Sequence, residues 1–115
     1  MEFQPFIQIN KFYLGGKWRI DNDFAENKSF SAKIVVRFNA KDVYFTADAA
    51  EAAAVEVNID GAPTGAESGR DVKSNILTVQ EKRRYHVISL ERRGVHTLEL
   101  IITKPELKAI SLSFE

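Results

Sequence analysis

The sequence predicts an all-β domain, an antiparallel sandwich or barrel. Apolar and polar residues alternate with period two in run after run, as half-buried strands require. Gly, Pro and Asp-Gly signals punctuate the runs at short intervals. Only one stretch, residues 47–54, is Ala-rich enough to favour a helix by propensity.

The elements follow in order. A first strand is expected over residues 12–20, broken or bulged at Gly15-Gly16, where the chain lacks side chains to pack. Over residues 33–39, Ile34, Val36 and Phe38 share one face and Val35, Arg37 and Asn39 the other. Ala40-Lys41-Asp42 reads as a tight connection to the next strand, where Val43, Phe45 and Ala47 oppose Tyr44, Thr46 and Asp48. Because strands flank it, the Ala-rich stretch is read as a hairpin end with at most one helical turn. Val55, Val57 and Ile59 then oppose Glu56, Asn58 and Asp60, and Asp60-Gly61 is a strong turn dipeptide. Residues 62–75 form the longest loop-like stretch, and such loops often carry function.

Further strands are expected over 76–79 and 85–90. Arg93-Gly94 reads as the turn before the strand of Leu98, Leu100 and Ile102, which Lys104-Pro105 stops because Pro has no N–H for a ladder. A final strand sets Ile110, Leu112 and Phe114 against Ser111, Ser113 and Glu115. A slip of one residue would turn each apolar set to water, so the pattern also sets the register. The predicted core is therefore Ile34, Val36, Phe38, Val43, Phe45, Val57, Ile59, Leu98, Leu100, Ile110, Leu112 and Phe114.

Composition bounds the function. At 115 residues the chain is one domain, 1–115, and 44% hydrophobic residues suffice for a core. Lys+Arg and Asp+Glu number 16 each, so there is no basic excess of the kind nucleic-acid binders carry, and no nucleic-acid partner is expected. With no Cys there is no disulfide, no thiolate ligand and no thiol redox chemistry by this chain. No apolar run approaches the ~20 residues of a membrane-spanning helix, so no membrane insertion is expected, and Met1-Glu2-Phe3-Gln4-Pro5 does not resemble a signal peptide. Asn27-Lys28-Ser29 is a glycosylation sequon, a triplet that also arises by chance.

The catalytic inventory is thin. His86 and His96 both fall in strands, without G-x-S-x-G, H-x-H or H-E-x-x-H spacing, so no catalytic residue, metal or cofactor is assigned. Gly61, Gly65 and Gly69 recur every four residues, but no Gly-Lys-Ser/Thr follows, so they read as turn formers. Asp21, Asp23 and Glu26 read as a solvated loop. Lys82-Arg83-Arg84 and Arg92-Arg93 read as charged edges that oppose sheet-to-sheet association. Three residues are candidates for ligand binding. Tyr44 lies on the outer face, where a ring can stack on a sugar or a partner side chain. Asp71, in the long loop, and Arg83, at the start of a strand, offer an acceptor and a donor suited to hydroxyl-rich ligands or a peptide backbone. A salt bridge between Asp71 and Arg83 that ties the loop down is the alternative use of that pair. Trp18 is expected to be buried.

Several runs resemble a known family. Tyr13-Leu14-Gly15-Gly16-Lys17-Trp18 resembles its "L-x-G-x-W", Phe38-Asn39-Ala40-Lys41-Asp42-Val43 its "F-x-A-[RK]-D-[VL]", and Val57-Asn58-Ile59-Asp60-Gly61-Ala62-Pro63 its "V-x-[VL]-D-G-x-P". Gly69-Arg70-Asp71-Val72, Arg83-Arg84-Tyr85-His86-Val87-Ile88 and the end from Ala109 to Glu115 continue the match, which starts near Pro5. Arg84 and Glu115 depart from it, standing where the family has Leu and Gly. The family is the C-terminal domain that follows the thioredoxin-like domain in DipZ-type thiol–disulfide exchange proteins. The resemblance implies a jelly-roll β-sandwich similar to carbohydrate-binding modules, and an extracytoplasmic parent whose redox cysteines lie in a preceding domain. This chain would then be a C-terminal piece of that parent.

The expected function is that of a non-catalytic binding or docking module, taking carbohydrate or a protein partner or orienting the adjacent thioredoxin-like domain. Two rivals remain at this point: a stand-alone glycan-processing hydrolase, and a structural spacer that completes an oligomer interface.

Overall fold

The structure, a computed structural model, describes residues 12–115. The start of the family resemblance near Pro5 and the Met1-Glu2 opening lie outside the described residues. Ten strands follow in order: β1 (Phe12–Gly15), β2 (Trp18–Ile20), β3 (Ala25–Asn27), β4 (Ala32–Asp48), β5 (Ala53–Ile59), β6 (Ala62–Pro63), β7 (Val72–Lys73), β8 (Ile76–Val79), β9 (Arg83–Ile102) and β10 (Lys108–Phe114). Every pairing is antiparallel, and no described residue is helical.

The architecture is an all-β jelly-roll sandwich hung on two long strands. β4 and β9 pair from Ala32↔Ile102 to Ala47↔Arg83, with irregularities between Ala40 and Asp42 and between Val43 and Tyr44. A bulge adds a residue to one strand, bends it and raises its twist. Each long strand thereby serves both layers. In one layer β1 pairs with β4 at Gly15↔Lys33 to Phe12↔Val36, and β5 pairs with the far end of β9, followed by β8 and β7. In the other, the second half of β4 pairs with β10 and the first half of β9, and β10 leads on to β3 and β2.

The core lies between the layers. Val36, Phe38, Val43, Val55, Val57, Leu77, Val79, Val87, Leu98, Leu100 and Ile102 are fully buried, with Phe45 and Tyr85 nearly so. Phe38 stacks on Phe114 with centroids 6.0 Å apart. Trp18 is half-buried, packs against this core and donates its indole N–H to the Gly15 carbonyl at 2.7 Å.

Several expectations are corrected. Ala40-Lys41-Asp42 is not a connection but an irregularity inside β4, and Arg93-Gly94 lies inside β9, where Gly94 pairs with Ala40. The two turn signals face each other across one ladder, so they mark the bend of a strand pair rather than its ends. Residues 49–52 join β4 to β5 without a helical turn, because flanking strand pairing overrides Ala propensity. In β10 the register shifts between Ala109 and Ser111, so Ile110 has no ladder partner. Ala109, Leu112 and Phe114 are the residues that pack on the core, and Ile110, Leu112 and Phe114 are half-buried rather than buried.

Candidate functional site

The residues singled out by sequence converge on the first residues of β9. Alternation along Arg83-Arg84-Tyr85-His86 sends Tyr85 into the core and places Arg84 and His86 on the outer face. Tyr44 pairs with His86, and Thr46 with Arg84, so the three side chains meet. The Tyr44 and His86 rings stack at 4.6 Å and 18°, and the Arg84 guanidinium lies over the Tyr44 ring at 3.7 Å. Arg84 is also paired with Glu115. Tyr44 is therefore half-buried, and its ring is already packed by two side chains of its own sheet. Its hydroxyl has no hydrogen-bond partner among the described residues.

His86 is fixed at both nitrogens. Nδ1 accepts from the Arg70 N–H at 3.3 Å, which places the proton on Nε2, 3.0 Å from Asp42 Oδ1. Neither nitrogen is left for a hydroxyl nucleophile. His96 lies in the second half of β9 with Nδ1 2.6 Å from Asp60 Oδ2, and no Ser or Thr hydroxyl bonds either ring among the described residues. Nor does any group of three His, Cys, Asp or Glu there offer a metal site.

Asp71 and Arg83 are brought together at the rim of the same strand. Their two hydrogen bonds measure 3.0 and 3.4 Å, and Asp71 Oδ2 also accepts the His86 N–H at 2.7 Å. Burial alone would raise the Asp71 carboxyl. The Arg83 and His86 bonds outweigh it and hold the carboxyl below the usual Asp range. Arg83 is raised in turn by Asp71, and its guanidinium stands over the Tyr85 ring at 4.0 Å. The salt bridge is thus present.

Asp71 closes a strap that the sequence showed only as a loop. Ser89 N–H donates to Glu67 O at 2.9 Å, Gly69 N–H to Val87 O at 3.0 Å and Asp71 N–H to His86 O at 3.1 Å. Gly69 is required here, because a Cβ at that position would lie 2.3 Å from the His86 carbonyl oxygen. Asp60-Gly61 makes the tight β5–β6 turn with φ of 52° and 84°, matching the mirror-image hairpin turn. Asp60 also accepts the Thr97 N–H at 2.8 Å.

Two cavities open beside these elements. One, of about 250 Å³, is mainly apolar and runs from Ile20 and Phe24 past Ile110 and Leu112 to Ile34 and Phe45. The other, of about 330 Å³, lies beside the Asp71–Arg83 pair and is lined by Thr78, Gln80, Glu81, Arg83 and Tyr85. The acidic loop expected to be solvated is partly inward. Glu26 is buried, and its bonds from Arg19, then Lys28, hold its carboxyl below the ordinary range.

Compared with known families, residues 2–114 match the thioredoxin-like C-terminal domain. The chain belongs to that family. No curated protein sequence matches the domain. Among solved structures it is similar to a family two carbohydrate esterase from Clostridium thermocellum in complex with cellohexaose. That match has a TM-score of 0.75 and 14% identity, covering 91% of the domain and 31% of the esterase. A family two carbohydrate esterase from Cellvibrio japonicus gives 0.71 and 11%, covering 90% of the domain and 30% of that chain. At such identities the likeness is one of fold, and the domain spans about a third of each esterase.

Proposed function

We propose that this domain is a non-catalytic accessory module of a larger thiol–disulfide exchange protein of the DipZ type. It works outside the cytoplasm, where it engages carbohydrate or a protein partner, or orients the adjacent thioredoxin-like domain. The observation that carries this reading is membership of the thioredoxin-like C-terminal family in a chain without Cys. The thiolate that exchange chemistry needs must come from elsewhere in the parent. Neither histidine ring bonds a Ser or Thr hydroxyl among the described residues, which supports a binding role over hydrolysis. Two assays test the reading together. Insulin reduction by the isolated domain should equal the protein-free blank. A glycan array and a pull-down with the parent's thioredoxin-like domain should give at least one saturable interaction. A rate above blank, or no interaction in either format, overturns it.

A further inference from the structure

We infer that the cleft between the end of β8 and the start of β9 is a binding site for a neutral, hydroxyl-rich ligand, with Arg83 as donor and Glu81 as acceptor. The inference rests on the module reading above and gives it a place and a chemical class.

Arg83 is pre-organised. It stands on the Tyr85 ring at 4.0 Å and is gripped by Asp71 at 3.0 and 3.4 Å. A third bond goes to the Arg84 carbonyl at 3.4 Å. A guanidinium carries five N–H donors, so two are left without a partner among the described residues. Holding the side chain in place beforehand removes the ordering cost a ligand would otherwise meet. The turn is held as firmly. The Tyr85 hydroxyl donates to Glu81 O at 2.7 Å and accepts the Gln80 and Glu81 N–H groups at 3.2 and 3.3 Å. The backbone that carries Glu81 is thereby locked to the core. In contrast, the side chains of Thr78, Gln80 and Glu81 make no hydrogen bond within the described residues, and all three line the cleft.

The lining selects the ligand. Asp71 already offsets the Arg83 charge, and Glu81 faces the same space, so an anion such as phosphate meets a carboxylate there. Besides Tyr85 no apolar side chain lines the cleft, which leaves a peptide's side chains nothing to bury. A guanidinium with spare donors, a carboxylate, an amide and a hydroxyl lining one cleft suit groups that both donate and accept. Adjacent hydroxyls on a sugar ring do this.

The test is a titration of the isotope-labelled domain with cellohexaose and a set of neutral oligosaccharides of other linkages, followed by amide NMR. Glu81→Gln and Thr78→Ala change exposed side chains without internal hydrogen bonds, so both should keep the wild-type spectrum outside the cleft. The expected result is shifts confined to residues 78–85 for at least one oligosaccharide. Glu81→Gln should weaken that binding about tenfold, as loss of a bond to a charged group implies. Thr78→Ala should weaken it by a smaller factor. Shifts centred on Tyr44 and Ser113 with residues 78–85 silent overturn the cleft while leaving a carbohydrate module standing. No shift with any oligosaccharide overturns the ligand class, and the pull-down then decides the module reading separately. Undiminished binding by Glu81→Gln, or saturation of the cleft by inorganic phosphate, also overturns the inference.

Discussion

Gly69→Ala is the sharpest probe of how this domain is held together. The added methyl would sit 2.3 Å from the His86 carbonyl oxygen, 2.5 Å from its carbon and 2.8 Å from the Val87 carbonyl carbon. Those atoms are backbone of β9 where it is laddered to β4 through Tyr44↔His86 and Val43↔Ile88, so the strap rather than β9 gives way, lifting by about 1 Å to reach an ordinary contact. Three backbone hydrogen bonds, Ser89 to Glu67, Gly69 to Val87 and Asp71 to His86, span that gap at 2.9 to 3.1 Å. The His86 N–H bond to the Asp71 carboxylate spans it too. Losing two or three of these, at about 1 kcal/mol each with more for the charged one, costs about 2–4 kcal/mol. That is a large share of the stability of a small domain. At about 4 °C per kcal/mol for this chain length, the thermal midpoint should fall by about 8–16 °C. Circular dichroism melts of Gly69→Ala and Gly65→Ala measure it. Gly65 has nothing within 4 Å of its Cβ position and so controls for the loss of a glycine. If Gly69→Ala melts within about 2 °C of Gly65→Ala, the strap is not a fixed part of the fold and the reasoning fails.

Other predictions rest on single residues. The Asp60 and Asp71 carboxyls are held below their ordinary value of 3.8, so the stability they contribute is complete above that value and is lost as pH falls through their folded values. Melts from pH 7 to acid should therefore show Asp71→Asn less stable near neutrality and less sensitive to acid than wild type; parallel pH curves refute this. Tyr44→Phe should melt like wild type because the hydroxyl has no internal partner. Tyr44→Ala should cost about 1–2 kcal/mol through lost stacking on His86 and Arg84, and a neutral effect in a melt would contradict the packing seen. The Asn27 side chain is fully buried, with Nδ2 donating to Lys104 O and Oδ1 accepting from Ser29. A glycan there has no room in the fold, so folded domain recovered from a glycosylating host should carry none at Asn27, with intact mass and glycosidase digestion as the check.

The sequence by itself determined the layering of this domain. Period-two alternation named Ile34, Val36, Phe38, Val43, Phe45, Val57, Ile59, Leu98 and Leu100, all of which are buried, because a half-buried strand leaves no other arrangement for its apolar face. Asp60-Gly61 declared its turn because few residues accept two successive positive φ angles. The tertiary structure decided what depends on partners distant in sequence. Whether Ala40-Lys41-Asp42 turned or merely bent the chain depended on Gly94 lying opposite, 54 residues away, in the same ladder. The displacement of Ile110 from the β10 ladder followed from how Ala109 and Ser111 register on β4, which alternation alone cannot reveal. The candidate site was legible only in pieces. Tyr44, Asp71 and Arg83 stood out singly, and parity along β9 was a signal for Arg84 and His86. The pairing of His86 with Asp42, the carbonyl beneath Gly69 and the cleft beside Glu81 exist only once β4, β9 and the strap are side by side, since hydrogen-bond and contact distances between chain segments carry no trace in local pattern.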